Sequence, residues 1–276
     1  ENDFNKADKT LKEELPKILS QFNEFMAQLE VINTEPLVRL IGDDLADRGS
    51  NDYFTLRLLK FLREKNVKVT TLISNHGIEF INRCAHSEEK TNKIIEATDS
   101  QSYIGLEKFV GLELVSRDEV NNFVEEIYKP SLKLLDYSLK ENGIVLFSHA
   151  PIRLEAIQWI SEKLQIIYDN STPIKLAETI ENINIAFQIK LATEDLTSIY
   201  DHFFNILSDS NTLPEPGRIN NEQGKEWPLV YLIWNRWSQT KDTDEAARPH
   251  LHKSYSIQYV HGHDKHQNPD QKQVTN

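Results

Sequence analysis

Residues 37–49 read Leu37-Val38-Arg39-Leu40-Ile41-Gly42-Asp43-Asp44-Leu45-Ala46-Asp47-Arg48-Gly49, and they combine a candidate strand with a polar turn. Its first five residues are mostly apolar, as in a short buried strand, and a Gly-Asp turn ends the run. The sequence then predicts a helix over residues 53–64 and a second strand over residues 67–73. Strand, helix and strand in this order are typical of the βα units of an α/β protein.

Further helices and strands are predicted on both sides of these units. Upstream, apolar residues at helical spacing predict a helix over residues 10–29, in which Pro16 marks a first turn or a kink. Downstream, the patterns predict helices over residues 117–141 and 154–207, strands over 143–147, 229–234 and 255–260, and a polar loop over 238–253. Within residues 154–207, where Pro173 separates at least two helices, we expect these apolar residues to pack internally: Ile157, Ile160, Leu164, Ile180, Ile183, Phe187, Leu191, Phe203 and Leu207.

Each predicted strand is followed by residues that are able to bind metal or phosphate. Because ligands bind outside the carboxyl ends of the strands in open α/β sheets, clusters placed there can converge in space. Carboxylate, amide and imidazole groups suit Mn, Fe or Zn, and two such ions can clamp a phosphate. The clusters after the first strand are Ser74-Asn75-His76-Gly77, Ser148-His149-Ala150-Pro151, Trp234-Asn235-Arg236-Trp237 and His261-Gly262-His263-Asp264.

Taken alone, each cluster has an ordinary structural explanation. Asp43 is suited to cap the following helix, and Arg236 between two tryptophans is suited to a cation–π pair. In isolation, His149 is more typical of a hydrogen-bonded core histidine, and His263 of a solvated turn. Because every one of the clusters follows a strand, we favour a shared site.

Composition excludes several classes of protein. The net charge of −12 and the pI near 5.3 argue against a nucleic-acid binder, which needs a basic face. Cys84 is the only cysteine, so an intrachain disulfide is impossible and a thiolate metal site is not expected. No apolar run approaches the length of a membrane span, and the first residues carry neither an initiator Met nor a signal-peptide pattern.

The motifs resemble those of the phosphoprotein phosphatases, which are calcineurin-like metallophosphoesterases. Gly42-Asp43 with Asp47-Arg48-Gly49 resembles their GDxxDRG motif, and Asn75-His76 resembles GNHE. Ser148-His149-Ala150-Pro151 resembles their HG/HA motif, and Gly262-His263 their GH motif. The sequence over residues 39–49 and the long helical segment are most similar to the Wip effector phosphatases, which Legionella injects into host cells.

Three departures from that pattern stand in the sequence. One extra residue separates Gly42-Asp43 from Asp47-Arg48-Gly49, so Asp43 matches if the turn bulges after the strand, whereas Asp44 matches by counting back from Asp47. We prefer Asp43, because it directly follows the strand and its glycine. Ser74 and Gly77 replace the first and last residues of GNHE. The opening Asp-x-His motif is absent, and we expect the strand that carries it just upstream of Glu1.

The resemblance implies a fold and a role for each matching residue. The fold would be an α/β calcineurin-like two-sheet sandwich flanked by helices, as one domain over residues 1–276 with a mostly helical insertion over 154–207. Two divalent metal ions would be bound, with manganese favoured and iron or zinc as alternatives, and their ligands here would be Asp43 as the bridge, Asn75, His149 and His263. His76 would be the general acid oriented by Asp47, and Arg48 and Arg236 would hold the phosphate oxygens.

The resulting hypothesis is a metal-dependent phosphomonoester hydrolase. It would act on phosphoproteins, at serine, threonine or tyrosine, through in-line attack by a hydroxide that bridges the metals. A dinucleoside polyphosphate hydrolase and a non-catalytic binding module that has lost its first metal site are the alternatives, and the chain without its upstream ligands can be inactive. We expect a cytoplasmic protein, or one secreted into a host cell if the effector resemblance holds.

Overall fold

The computed structural model of the protein describes residues 2–49, 51–85, 101–193, 221–237 and 248–264. Its contacts divide the chain into two compact units, Glu1–Lys133 and Leu134–Asn276. Each unit contains one β-sheet with helices, so the predicted α/β class with two sheets is confirmed. The prediction of a single domain over residues 1–276 stays a prediction.

The first unit contains a parallel sheet of three strands in the order β1-β2-β3. Strand β1 is Val38–Leu40, β2 is Val69–Leu72 and β3 is Leu132–Lys133. Leu40 is paired with Thr71, which in turn is paired with Leu132. The first two strands lie inside the predicted ranges, and a helix connects them as the βα pattern requires.

The helices of the first unit begin with a long helix that contains Pro16. Among the described residues, five α-helices precede a π-helical turn at Val124–Tyr128 and a last short α-helix, α6, at Lys129–Ser131. Ser116 caps the fifth, because its Oγ accepts a hydrogen bond from the Glu119 amide at 3.0 Å. The five are α1 (Asn2–Gln28), α2 (Asp52–Glu64), α3 (Asn75–Ala85), α4 (Gln101–Gly111) and α5 (Arg117–Phe123).

The predicted helix over residues 117–141 is wrong in its second half. Helical structure ends at Ser131, and strands β3 and β4 (Asp136–Lys140) follow. Leucines 132, 135 and 139 have the spacing of a helix face, while the two strands are too short to show a clear alternation. Pro130 also lacks the N–H group that a continuing helix would need.

The second unit contains a mixed sheet of four strands in the order β4-β5-β7-β6. Strand β5 is Gly143–Ser148, β6 is Leu251–His252 and β7 is Tyr255–His261. Strands β5 and β7 are parallel, and Ser148 is paired with His261. The carboxyl ends of these two predicted strands therefore meet at one edge of the sheet.

In the described part of the second unit, the helices are α7 (Glu155–Lys163), α8 (Pro173–Ala192), α9 (Asn221–Glu226) and α10 (Pro228–Trp234). Helix α8 begins at Pro173, and the hydroxyl of Thr172 accepts a hydrogen bond from the Lys175 amide at 3.2 Å. Asn184 fixes α8 to the chain before β4. Its side-chain oxygen accepts a hydrogen bond from the Leu134 amide at 3.0 Å, and its side-chain nitrogen donates to the Leu135 carbonyl at 2.8 Å.

Most of the apolar residues expected to pack within residues 154–207 are buried. Leu164 is half-buried, and Phe203 and Leu207 lie outside the described residues. The buried ones are Ile157, Ile160, Ile180, Ile183, Phe187 and Leu191. Most of the loop expected over residues 238–253 also lies outside the described residues, apart from its last part, which includes β6.

The predicted strand over residues 229–234 is wrong, because these residues form helix α10. The run from Leu229 to Ile233 is buried throughout, so it shows neither a strand period nor a helix period. Pro228 stands at the start of the helix, where its missing N–H group costs nothing. Among the described residues, no helix is long and apolar enough to cross a membrane.

Candidate active site

The loop after β1 has an unusual backbone that places Asp43 next to α3. Gly42 and Gly49 both have φ of 85°, and Asp43 and Ala46 have φ of 55° and 57°. The Asp52 carboxylate accepts hydrogen bonds from the Ala46 amide at 3.1 and 3.2 Å, which ties the loop to the first residue of α2. The extra residue of the motif is therefore accommodated by left-handed backbone directly after the strand.

Ser74, which stands where the resembling motif has glycine, joins this loop to α3. Its Oγ accepts a hydrogen bond from the Asp43 amide at 3.1 Å and another from the Gly77 amide at 2.9 Å. One buried hydroxyl thus holds both the loop and the first turn of α3. The sequence reveals the replacement but not this bridging role.

His76 lies between two carboxylates in the first turn of α3. Its Nε2 is 3.6 Å from Asp47 Oδ1, and its Nδ1 is 3.8 Å from Glu79 Oε2. Both distances exceed a hydrogen bond, but either carboxylate can orient the ring after a small movement. One ligand atom each of Asp43, Asp47 and His76 lies within 4.8 Å of the others, so these three side chains could hold a metal ion.

Glu79 was not predicted from the sequence, although it is buried and faces His76. The resembling motif has its glutamate directly after the histidine, where this chain has Gly77. A Cβ atom at Gly77 would lie 2.9 Å from the Tyr128 hydroxyl, so a side chain at this position would force Tyr128 to shift. Glu79 supplies a carboxylate from the next turn instead, and only its spacing of three residues from His76 could have indicated it.

Asp44, the alternative to Asp43, has a different environment. Both of its carboxyl oxygens are buried and have no hydrogen-bond partner among the described residues. Burial, with smaller contributions from the nearby carboxylates of Asp43 and Asp52, raises the pKa of Asp44 to about 7. Within the described part of the chain, Asp43 and not Asp44 belongs to the group with Asp47 and His76.

The predicted phosphate ligand Arg48 is accessible. Three quarters of its side chain is exposed, at 75%, and its Nε is 3.6 Å from Asp47 Oδ1. An exposed guanidinium held beside the His76 group is suited to bind phosphate oxygens. Asn75, by contrast, is buried at the start of α3.

In the second unit, His149 and His263 contact each other at the ends of β5 and β7. His149 Nε2 is 3.1 Å from His263 Nδ1, and the Gly262 amide donates to the His149 carbonyl at 2.9 Å. His149 is buried, and His263 has a left-handed backbone with φ of 65°. Two imidazole nitrogens this close either share a proton or can bind one cation together.

The segment after α10 is fixed to the segment after β7. Arg236 Nη1 donates to the His263 carbonyl at 2.9 Å and lies 3.6 Å from Asp264 Oδ1. The Trp237 amide donates to Asp264 Oδ2 at 2.5 Å, and the Asn235 side chain donates to the Pro151 carbonyl at 2.6 Å. Asp264 therefore positions Arg236 beside His263. Sequence reasoning did not assign that role to it.

Comparison with known proteins identifies the family. A model of the WipA-like phosphatase domain matches residues 37–276. The chain belongs to the WipA-like phosphatase domain family. Among solved structures, the phosphatase domain of the Legionella effector WipB is similar, with a TM-score of 0.76 and 31% identity over 92% of this chain and 80% of that one. No curated protein sequence matches the chain.

This WipA-like domain is therefore a phosphatase, and its side chains fit a divalent metal. Carboxylates and imidazoles are the ligands of the two groups, and such ligands suit manganese, iron or zinc. The one thiol is unsuited, because burial raises the pKa of Cys84 to about 12. That Asp43, Asn75, His149 and His263 together bind one ion stays a prediction, as do the roles of Asp47, Arg48, His76 and Arg236.

Proposed function

We propose that this WipA-like domain is a metal-dependent phosphatase that removes phosphate from proteins. The observation that supports it most is His76, an imidazole between the carboxylates of Asp47 and Glu79 and beside Asp43. This is the arrangement expected of a proton donor next to a metal ligand. When bound, divalent ions would activate a water for in-line attack and neutralise charge on the phosphate.

The side chains of the domain would divide the remaining work. Arg48, which is exposed, would bind the phosphate oxygens, and Arg236 would do so from its place beside His263. His76 would give its proton to the leaving oxygen of the substrate, with its ring oriented by Asp47 on one side and Glu79 on the other. Asp43, Asn75, His149 and His263 would serve as metal ligands, with manganese as the favoured ion.

The family supports the proposed protein substrate and cellular setting. WipB is a Legionella effector, and by analogy we infer that this chain is delivered into a host cell and acts there on a host phosphoprotein. The acidic composition, with a net charge of −12, argues against a nucleic-acid substrate.

A substrate panel tests the proposal. The full-length gene product is assayed on phosphoserine, phosphothreonine and phosphotyrosine peptides and on diadenosine tetraphosphate, each with Mn²⁺ and with a chelator. We expect hydrolysis of at least one phosphopeptide with Mn²⁺ and loss of that activity with the chelator. Preferred cleavage of the dinucleotide would favour the dinucleoside polyphosphate hydrolase. Phosphopeptide binding without hydrolysis, in a folded and metal-loaded protein, would favour the binding module.

A further inference from the structure

A second arginine of the second unit lies against two aromatic rings near His263. The Arg248 guanidinium carbon is 4.9 Å from the centre of the Trp237 ring and 4.4 Å from that of Tyr259. The Trp237 ring is also stacked on His261, with centroids 5.6 Å apart and an interplanar angle of 22°. These four side chains form a row that we call the Arg248 stack.

The Arg248 stack lies at the edge of the sheet where the paired histidines are found. Tyr259 and His261 are two residues apart on β7 and therefore lie on the same face of that strand. His263 follows directly and contacts His149. Trp237 is held there by its own amide, which donates to Asp264. Within the second unit, the guanidinium of Arg248 is thus at the same sheet edge as the paired histidines.

Arg248 differs from Arg236 in having no carboxylate partner among the described residues. Arg236 lies 3.6 Å from Asp264 and donates to the His263 carbonyl. Arg248 makes no ion pair or hydrogen bond with the described part of the chain, and its Nε is buried without a partner. Burial lowers the pKa of Arg248 to about 10, at which the side chain is still charged at neutral pH.

A partly buried cation without a counter-ion is costly unless an anion binds to it. The aromatic rings offset part of that cost and hold the guanidinium in place. Because Nε is buried, the two terminal Nη groups are the donors that would bind a carboxylate. A chain with a net charge of −12 repels acidic peptides as a whole. Arg248, which has no carboxylate partner among the residues that the structure describes, would give an acidic side chain one favourable position.

We propose that Arg248 is a specificity-determining residue that binds an Asp or Glu side chain of the substrate near its phosphorylated residue. This inference rests on the proposed function, since it takes the substrate to be a phosphoprotein. Arg48 and Arg236 would hold the phosphate itself, so Arg248 adds recognition of the sequence around it.

Peptide binding provides the test. Fluorescence anisotropy measures the affinity of phosphopeptides in pairs that differ only by Glu or Gln at one flanking position, with each position scanned in turn. We expect the wild type to bind at least one Glu peptide about tenfold more tightly than its Gln partner, which corresponds to about 1.4 kcal/mol. Arg248→Gln should abolish this preference and change the affinity for the Gln peptide by less than about twofold.

Two further variants control for charge and geometry. Arg63→Gln removes the same charge from the exposed last turn of α2 and should keep the Glu preference. Arg248→Lys keeps the charge but loses the planar fork, so the preference should fall to an intermediate value. The comparison of Glu and Gln peptides on the wild-type protein needs no variant, so the proposal stays testable even if Arg248→Gln does not fold.

Several outcomes would overturn the proposal. One is a wild type that shows no preference for Glu at any position. Another is an Arg248→Gln protein that is folded and binds the Glu and Gln peptides equally weakly, because Arg248 would then bind the phosphate or support the fold. Peptides that are hydrolysed without any flanking preference would refute this inference alone. A Glu preference in a protein that hydrolyses none of the peptides would refute the proposed function alone.

Discussion

His76 is the residue on which the chemistry depends most. It lies 3.6 Å from Asp47 and 3.8 Å from Glu79. We expect His76→Asn in the full-length protein to lower kcat on an alkyl phosphate by roughly 10²–10⁴, the range for a positioned proton donor. The loss should be much smaller on a nitrophenyl phosphate, because that leaving group needs little protonation. Steady-state kinetics on both substrates is the measurement, and equal losses would assign His76 to positioning of metal or phosphate.

The close approach of Gly77 to Tyr128 predicts how substitutions at these two positions change stability. A Cβ atom at residue 77 would lie 2.9 Å from the Tyr128 hydroxyl and 3.3 Å from Ser74 Oγ. We expect Gly77→Ala to lower the free energy of unfolding by about 1–3 kcal/mol through overpacking. Adding Tyr128→Phe should recover part of that loss, since the hydroxyl has no partner among the described residues. Urea unfolding of the single and double variants measures the free energy of unfolding. If the effects of the two substitutions simply add, the predicted clash is contradicted.

Asp44 should make stability depend on pH in the metal-free protein. Its pKa rises from 3.8 to about 7 on folding, so between these values the folded state keeps a proton that the unfolded state has lost. The stability of the wild type should therefore fall as the pH rises from about 4 to about 7. Asp44→Asn removes this slope, so the variant should gain roughly 2–4 kcal/mol relative to the wild type between pH 4 and pH 8. The measurement is the free energy of unfolding of both proteins from pH 4 to pH 8 in the presence of a chelator. A difference between them that does not change with pH would refute the prediction.

At the scale of elements, helix α8 presents an apolar stripe to solvent. Ile174, Ile185 and Ile189 are 58–59% exposed, and their spacing places them on one side of the helix. If residues 154–207 form one wall of the substrate groove, replacing all three with serine should raise KM for a phosphoprotein severalfold. Turnover of a small aryl phosphate should stay nearly constant, because the proposed ligands lie outside this segment. Equal changes for both substrates would assign the helix to structural support.

Strands β1, β2, β5 and β7 could be predicted because each is a short apolar run that ends in a polar cluster. Helix α10 could not, because a segment buried on all sides loses the period that separates helix from strand. Most motif residues of the candidate site were visible for the same reason, since they follow strands, whereas Arg236 follows helix α10. Glu79 and Arg248 were not predicted, because Glu79 lies outside the motifs and its role depends on its position beside His76, while the role of Arg248 depends on its contacts with Trp237 and Tyr259.

At the scale of the whole molecule, metal binding should stabilise the protein. A ligand at about a hundred times its Kd contributes about 2.7 kcal/mol, so Mn²⁺ should raise Tm by several degrees over the chelated protein. If Asp43 and His149 share an ion, Asp43→Asn and His149→Ala should each remove the same part of that increase. Glu64→Gln, an exposed carboxylate of α2, is the control and should leave it unchanged. Differential scanning fluorimetry measures the increase in Tm caused by Mn²⁺. A smaller increase in only one of the two variants would contradict a shared ion.

The π-helical turn at Val124–Tyr128 has a consequence for the history of the sequence. A π turn holds one residue more than an α turn, so helix α5 can bury Val120 and Phe123 while Tyr128 still reaches Gly77. Without that residue, the helix face that carries Tyr128 would be rotated by about 100° relative to the face that carries Val120 and Phe123. We therefore expect the extra residue of the π turn and the glycine at position 77 to occur together in related sequences. We expect relatives that lack the insertion to tolerate a larger residue at the position of Gly77.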